Sequence, residues 1–251
     1  MLYQYSHRLG AYAPGLDPDA KAYIAAVEAA DGQALEPAVR VAYDQFIRGC
    51  KTDGIWDAIK ASCILAGART LSGALVPLKG TAPTNFNFVS GDYNRETGLI
   101  GDGASKYLNT NRNNNADPQN NQHISVYVST VGSLIALSTE SDPTTIQGAT
   151  HIGLNFIHSR NDTSDARSMQ TGFNGITRQL STEFLYRISG VNQTFARGSQ
   201  TPASANLYLM RSGTLYGSHR IPFYSIGESI DLAALDSRVS TLISDIAAAI
   251  P

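Results

Sequence analysis

The sequence predicts a mainly β protein: an antiparallel β-sandwich preceded by a helical segment and followed by one helix. The first basis is periodicity. Hydrophobic residues recur at helical spacing up to about residue 66, alternate with polar residues from about 67 to 227, and return to helical spacing after Asp231. The second basis is the Gly, Asn, Asp and Ser clusters that separate the alternating stretches, as in antiparallel sandwiches. The third is length, because 251 residues suffice for one large core.

Residues 17–66 predict a small helical segment of three short amphipathic helices. The first begins with a capping Asp17 followed by Pro18, which suits the first helical position. The second is predicted from residues 36–37 to 49. The third is predicted over residues 53–66, with one apolar stripe formed by Trp56, Ile59, Cys63 and Ile64. This stripe predicts that Trp56 is a buried core residue.

Residues 67–251 predict the sandwich and its terminal helix, residues 231–250. Alternation is clearest at Phe86 and Phe88, at Ile124, Val126 and Val128, at Ile152, Leu154 and Phe156, and at Leu207 and Leu209. Residues 109–122 are so rich in Asn and Gln that they predict a surface loop. The last helix is expected to pack within the chain, with packing on a second subunit as the alternative.

Composition excludes several classes of partner. Only 16% of the residues are charged and the net charge is −2, without a Lys and Arg cluster, so nucleic acid is not expected to bind. No apolar run has membrane-spanning length, and the first eight residues lack a signal-peptide pattern. We therefore expect synthesis in the cytoplasm, a soluble protein and no membrane association. Cys50 and Cys63 lack metal spacing and predict small buried side chains.

Residues 1–16 form an arm without periodicity that nevertheless carries large apolar side chains, namely Leu2, Tyr3, Tyr5, Leu9 and Tyr12. Aromatic residues on an aperiodic arm gain most by burial in a neighbouring molecule. The sequence therefore predicts an attachment arm.

Two motifs resemble the opening and closing strands of laminin-G-like, concanavalin-A-type jelly rolls. The opening motif is a Gly101-Asp102-Gly103 turn that precedes Tyr107. The closing motif is Phe223-Tyr224-Ser225-Ile226-Gly227-Glu228, followed by the terminal helix. The resemblance implies a concanavalin-A-like sandwich that binds sugars or proteins and rarely catalyses a reaction.

From Asp17 onward the chain also resembles bacteriophage virion proteins that pair a short helical segment with such a module. The matching pieces are residues 17–24, Thr52-Asp53-Gly54-Ile55-Trp56, the two motifs above, and Asn121-Gln122-His123-Ile124. The resemblance implies localisation in a virion, other phage structural proteins as partners, and a homo-oligomer, with a trimer favoured by analogy.

Catalytic and metal-binding patterns are missing from the sequence. Glu96, Glu140 and Glu183 are isolated, so the paired carboxylates of a sandwich glycosidase are absent, and no nucleophile elbow occurs. We expect no enzyme activity, no cofactor and no metal. The best alternative for a metal is residues 161–165, Asn-Asp-Thr-Ser-Asp, which read more readily as an Asx-rich turn than as a calcium loop.

Sugar binding needs planar polar side chains beside an aromatic face, and two stretches offer them. These candidate ligand-binding residues are Tyr93, Asn94 and Arg95 and, in the polar stretch, Asn111, Arg112, Asn113, Asn114 and Asn115. The alternative is that they are solvated turn residues or contacts to a sister subunit.

Two functions follow from these expectations. One is an outer tail-fibre or receptor-binding subunit whose sandwich binds host-surface glycan or neighbouring subunits. The other is a head decoration, cement or head-fibre protein with a purely structural role. A hydrolase is a third reading, disfavoured because paired carboxylates are missing.

Overall fold

The computed structural model describes residues 15–139 and 147–250. The attachment arm predicted from Leu2, Tyr3, Tyr5, Leu9 and Tyr12 lies outside these residues. Within them the helices are α1 (Pro18–Asp31), α2 (Pro37–Thr52), α3 (Leu71–Ala74) and α4 (Leu232–Ala249). Short 3₁₀ turns occupy Trp56–Ala58 and Ser90–Asp92.

The remaining regular structure of the described chain is β. The strands are β1 (Ile59–Ile64), β2 (Thr84–Phe86), β3 (Tyr93–Asn94), β4 (Gly98–Ile100), β5 (Tyr107–Asn113), β6 (Gln122–Val128), β7 (Ile135–Thr139), β8 (Ala149–Gly153), β9 (Phe156–Asn161), β10 (Asp165–Ala166), β11 (Gly172–Arg178), β12 (Phe184–Ile188), β13 (Val191–Phe195), β14 (Asn206–Leu209), β15 (Arg211–Ser212), β16 (Leu215–Tyr216), β17 (Arg220–Ile221) and β18 (Phe223–Gly227).

Two large antiparallel sheets form the sandwich. The six-stranded sheet has the order β1-β18-β6-β11-β12-β13, and the seven-stranded sheet has the order β10-β9-β8-β7-β14-β5-β2. Smaller sheets, β15-β16 and β17-β4-β3, lie beside them. The predicted fold class, an antiparallel sandwich with an N-terminal helical segment and a C-terminal helix, is confirmed.

One hydrophobic core lies between the two sheets. Alternate residues of both sheets enter it, among them Leu108, Ile124, Leu137, Ile176 and Leu209. Because the next residue along each strand points to the opposite face, every strand of the seven-stranded sheet also presents an outer face.

A second core lies between the helices and the outer face of the six-stranded sheet. Phe46 of α2 meets Phe223 of β18 edge to face, with ring centroids 5.7 Å apart. Helix α4 also packs closely on this face of the sheet. Gly175 of β11 provides the space, because a Cβ at this position would lie 3.0 Å from a methyl carbon of Leu232. The apolar stripe of α4 belongs to this core, so its predicted packing within the chain is confirmed.

The predicted third helix, residues 53–66, is wrong. Its place is taken by a loop, the 3₁₀ turn at Trp56 and strand β1, which pairs with β18. This strand is covered on both faces, since Cys63 enters the inter-sheet core and Ile64 enters the helix-facing core. A strand covered on both faces lacks the alternation that identifies a half-exposed one. The sheet therefore begins before the predicted boundary at residue 66.

Trp56 is buried as predicted, with 6% of its surface exposed, although the helical stripe assigned to it does not exist. Its indole N–H donates to Asp19 Oδ2 at 3.1 Å, and the ammonium group of Lys79 lies 4.2 Å from a ring centroid. Cys50 and Cys63 are free and buried, as predicted.

The polar stretch 109–122 is a surface loop only in part. Its first residues complete β5, and Asn114 is buried with 1% exposure. The buried guanidinium of Arg160 explains why such polar residues pack. It donates to the carbonyl oxygens of Asn114, Pro118 and Gln119. Among the described residues, no helix combines the length and hydropathy required to span a bilayer.

Candidate functional site

The outer face of the seven-stranded sheet carries a cluster of aromatic side chains. In β5 and β14, Leu108, Leu207 and Leu209 point into the inter-sheet core, so Tyr107 and Tyr208 point outward. The register places Phe86 of β2 beside Tyr107. Tyr216 and Arg211 reach the cluster from the β15-β16 hairpin. We call Phe86, Tyr107, Tyr208, Tyr216 and Arg211 the aromatic platform.

Close ring contacts hold the platform together. Phe86 stacks on Tyr107 with centroids 4.3 Å apart and an angle of 5° between the planes. Tyr208 and Tyr216 contact Tyr107 at centroid distances of 5.6 and 6.1 Å. The Arg211 guanidinium lies 4.6 Å from the Tyr107 centroid, which is a cation–π geometry.

Phe86 is the most exposed ring of the platform. It is 36% exposed, whereas Tyr208 is 6% exposed. An exposed ring held rigid by its neighbours gives up little entropy on binding, and aromatic side chains supply much of the energy of binding sites. Phe86 therefore offers an apolar plane of the size of one sugar ring.

Amide side chains border the platform on the same face. Asn109 Oδ1 accepts from Asn206 Nδ2 at 3.2 Å. Asn111 is exposed, and its amide nitrogen donates to the carbonyl oxygen of Ala82 and to Thr84 Oγ1 at 2.8 and 3.0 Å. These contacts fix the direction of polar groups beside an exposed ring, which is how binding sites orient hydroxyl-rich ligands.

A buried polar row extends from the platform across the sheet. The register aligns Tyr208 with Ser138, Ser138 with His151, and His151 with His158. Ser138 Oγ is hydrogen-bonded to His151 Nδ1. Burial, together with the neighbouring His158, lowers the pKa of His151 to about 3, so the imidazole is neutral at physiological pH. The row is uncharged there, and it provides hydrogen-bonding groups rather than a cation.

Tyr93 and Asn94 form β3 of the small β17-β4-β3 sheet, and Arg95 follows in the next turn. The Tyr93 hydroxyl donates to Ala68 O at 2.8 Å. The Arg95 guanidinium makes a two-pronged ion pair with Glu36, at 3.0 and 2.6 Å, between the sandwich and the helical segment. Asn94 Oδ1 accepts backbone N–H groups of the following turn. All three side chains therefore make contacts that hold the fold.

The predicted residues 111–115 divide into two groups. Asn111 is exposed and bonds to Ala82 and Thr84, as described above. Arg112 is ion-paired with Asp117 at 2.5 Å, and Asn114 is buried, donating to Gly148 O at 2.9 Å. Asn113 Oδ1 accepts from the backbone N–H of Asn115, which is exposed. Of the predicted ligand-binding residues, Asn111 lies on the same strand as Tyr107 of the platform, four residues farther along β5.

The platform itself was missed in the sequence. Its residues come from five strands, and their proximity depends on strand order and register, which a single sequence does not give. The available signal was the alternation in Tyr107-Leu108-Asn109-Thr110-Asn111, where an aromatic ring and two amides share one face.

The alternative calcium loop has one of its two carboxylates engaged elsewhere. Asp165 accepts from Arg197 Nη2 at 2.7 Å. Asn161 Nδ2 donates to the carbonyl oxygen of Thr163, as in a closed turn. No group of three or more His, Cys, Asp or Glu side chains with metal-binding geometry occurs in residues 15–139 and 147–250.

Comparisons with known proteins show similarity of fold alone. Neither a protein-family model nor a curated protein sequence matches the chain. Among solved structures, the botulinum neurotoxin serotype D binding domain is 12% identical, with a TM-score of 0.44, over 74% of this chain and 51% of that one. Domain 4 of AbnA, a GH43 arabinanase of Geobacillus stearothermophilus in complex with arabinotriose, is 12% identical, with a TM-score of 0.37, over 64% and 82%.

A third similar structure is that of botulinum neurotoxin type C, whose cell entry is described as dependent on two ganglioside molecules. It is 13% identical, with a TM-score of 0.43, over 74% of this chain and 51% of that one. The chain thus spans about half the length of the neurotoxin structures it matches. At these identities no residue role transfers to this protein.

Proposed function

We propose that this protein is a glycan-binding structural subunit on the outside of a bacteriophage virion, of the tail-fibre or receptor-binding kind. The observation that carries glycan binding is the aromatic platform, with its exposed Phe86 ring and with the amides of Asn109 and Asn111 farther along β5. A sugar ring has an apolar C–H face and a rim of hydroxyl groups. Phe86 would cover the face, while Asn109 and Asn111 would contact the rim.

Placement on a virion is supported by the sequence resemblance to phage proteins that join a short helical segment to a concanavalin-A-like module. The hydrophobic core shared by the helices and the six-stranded sheet joins the two parts, so force on the sandwich would pass into the helices. We further propose that the protein binds without catalysing a reaction, because no paired carboxylates lie at the platform among the described residues. The glycan ligands of the neurotoxin and arabinanase structures accord with this proposal but do not carry it.

A glycan array with matched variants tests the binding site. Wild-type protein is expected to bind a subset of bacterial surface oligosaccharides. Phe86→Ala removes the exposed ring, with a small effect on the core, and should weaken binding at least about tenfold, the equivalent of ~1.4 kcal/mol. Val191→Ala is the control, since Val191 is an exposed apolar residue, at 58%, on β13 of the other sheet.

Each outcome is informative once circular dichroism has shown that both variants are folded. Binding that survives Phe86→Ala would place the ligand elsewhere on the molecule. Absence of binding by the wild type to any array glycan would contradict the glycan-binding function. Gold-labelled antibody on intact particles, viewed by electron microscopy, tests the virion assignment separately.

A purely structural role as a decoration or cement protein is the second candidate. The observation that favours it is an apolar surface of small residues on α2 and α4, where Ala38 and Ala248 are exposed. Such a surface suits subunit contacts. Failure to bind glycans combined with antibody labelling of the head would select this candidate.

A further inference from the structure

A groove runs along the outer surface between α2 and α4. It consists of two adjoining cavities of about 310 and 480 Å³ that share Ala42, Gln45 and Asp245. Gly49 faces Arg238 at one end, and Ala38 faces Ala248 at the other, so the helices are antiparallel. The 16 residues of α2 make the groove about 24 Å long at 1.5 Å per residue.

The walls of the groove are mostly apolar and small. They are formed by Ala38, Val41, Ala42, Leu242, Ala248 and Ala249, together with Gln45 and Thr241. Arg48 and Arg238 also line the groove, and they are ion-paired with Asp44 and Asp53. Near the middle lies Asp245, half-buried and without an ion pair to any residue in the described ranges. A fitting occupant is therefore a narrow, apolar segment with one positive charge.

Residues 1–14 have this chemistry. They contain Leu2, Tyr3, Tyr5, Leu9 and Tyr12, no acidic residue, and a single Arg, Arg8. The described chain begins at Gly15, whose carbonyl oxygen accepts from Arg48 Nη2 at 2.6 Å. Arg48 itself lines the groove, so the arm starts at the groove's edge.

Length decides whether the occupant belongs to the same chain or to another copy. From Arg48 to Pro37 the groove measures about 16 Å, so a fully extended arm tethered at Gly15 would fill this length with its five nearest residues. Those residues, 10–14, contain one large apolar side chain and no charge for Asp245. Residues 2–9 extend over about 26 Å, which matches the whole groove, and they include Arg8.

We infer that residues 2–9 of one copy dock in the α2–α4 groove of a second copy, with Arg8 paired to Asp245. Residues 10–15 then bridge the two molecules over about 20 Å. Because each copy offers both an arm and a groove, two copies can exchange arms, or the contact can repeat into a ring or an open filament. The inference rests on the proposed role as a multi-copy subunit, but it does not depend on glycan binding.

Sedimentation velocity with charge reversal tests the pairing. Wild-type protein is expected to self-associate, and deletion of residues 2–14 should leave a monomer. Asp245→Arg and Arg8→Asp should each weaken association at least about tenfold, while the double variant should restore it. Glycan binding by the deletion variant should be unchanged, which separates this proposal from the proposed function.

Disulfide trapping tests the location. Protein carrying Tyr5→Cys is mixed with protein carrying Ala248→Cys under oxidising conditions, and a cross-linked heterodimer is expected. Ala25→Cys, on an exposed position of α1, is the control and should not cross-link. The native thiols do not interfere, because burial raises the pKa of both Cys50 and Cys63 to about 12.

Three results would overturn the inference. The first is a wild type that stays monomeric at high concentration. The second is self-association that is indifferent to the deletion or to the Asp245 reversal. The third is an intramolecular disulfide in dilute Tyr5→Cys/Ala248→Cys protein without cross-linking in the mixture, which would assign the groove to the chain's own arm.

Discussion

The free energy of unfolding should decrease between pH 6.5 and 4.5 because of buried histidines. Among them, His123 has hydrogen-bond partners at both ring nitrogens. Its ring is fully buried, with Nδ1 2.5 Å from Glu228 O and Nε2 2.8 Å from Ser225 Oγ. Since a carbonyl only accepts, Nδ1 carries the proton and Nε2 accepts from the serine hydroxyl. Protonation of Nε2 would bury a charge and force the serine hydroxyl to turn so that it accepts from the imidazolium.

The sign and size of the effect follow from proton linkage. Burial lowers the pKa of His123 from 6.5 to about 4, although the Glu228 carbonyl opposes the shift. The unfolded state therefore binds more protons across this window, so the stabilisation is complete above pH 6.5 and is lost as the pH falls toward 4. Between pH 7 and 4.5, His123 alone accounts for about 2 kcal/mol of the free energy of unfolding.

Urea unfolding followed by circular dichroism at pH 7 and pH 4.5 measures this contribution. His123→Gln does not titrate in this range, so its loss of stability between the two pH values should be about 2 kcal/mol smaller than that of the wild type. Glu36→Gln should leave the loss nearly unchanged, because the Arg95 hydrogen bond lowers the pKa of the Glu36 carboxylate. Equal losses in wild type and His123→Gln would refute a neutral, buried His123.

Three further perturbations follow from other contacts. Trp56→Ala should cost roughly 3–5 kcal/mol in unfolding free energy, and the sole tryptophan should emit as a buried indole; a water-exposed emission spectrum would contradict its burial. Glu36→Gln should cost about 1–2 kcal/mol at pH 7. The Arg95 hydrogen bond lowers the pKa of Glu36, so this cost should fade below pH 4.5; a cost that does not depend on pH would refute the ion pair. A chelator should leave the melting temperature unchanged, whereas a bound ion at ~100 times its Kd would contribute about 2.7 kcal/mol and its removal would lower the melting temperature.

Local sequence signals predicted the first two helices and the last one. Asp17 with Pro18, and Asp231 before an apolar stripe, set helix starts by hydrogen bonds within a few residues, and the structure has both starts. Phe86, Ile124 and Leu207 lie in strands, as their alternation predicted. These features depend on neighbours in sequence, which is why a single sequence suffices for them.

What depends on tertiary contacts was not predictable in this way. Strand β1 was taken for a helix because both of its faces are covered, one by the other sheet and one by the helices. The sequence placed Asn114 on a surface loop, yet it is buried. Its carbonyl oxygen accepts a hydrogen bond from the guanidinium of Arg160, 46 residues later. Phe86 and Tyr208 meet around Tyr107 only through strand order, so the aromatic platform appears only once the sheet is assembled.

A crystal structure of the protein with an oligosaccharide selected on the glycan array tests the central claim most directly. The account predicts a sugar ring packed against Phe86, with its hydroxyl groups within hydrogen-bonding distance of Asn109 or Asn111. Electron density for the sugar beside Tyr93 and Arg95, or at any other place while Phe86 is uncovered, would contradict it.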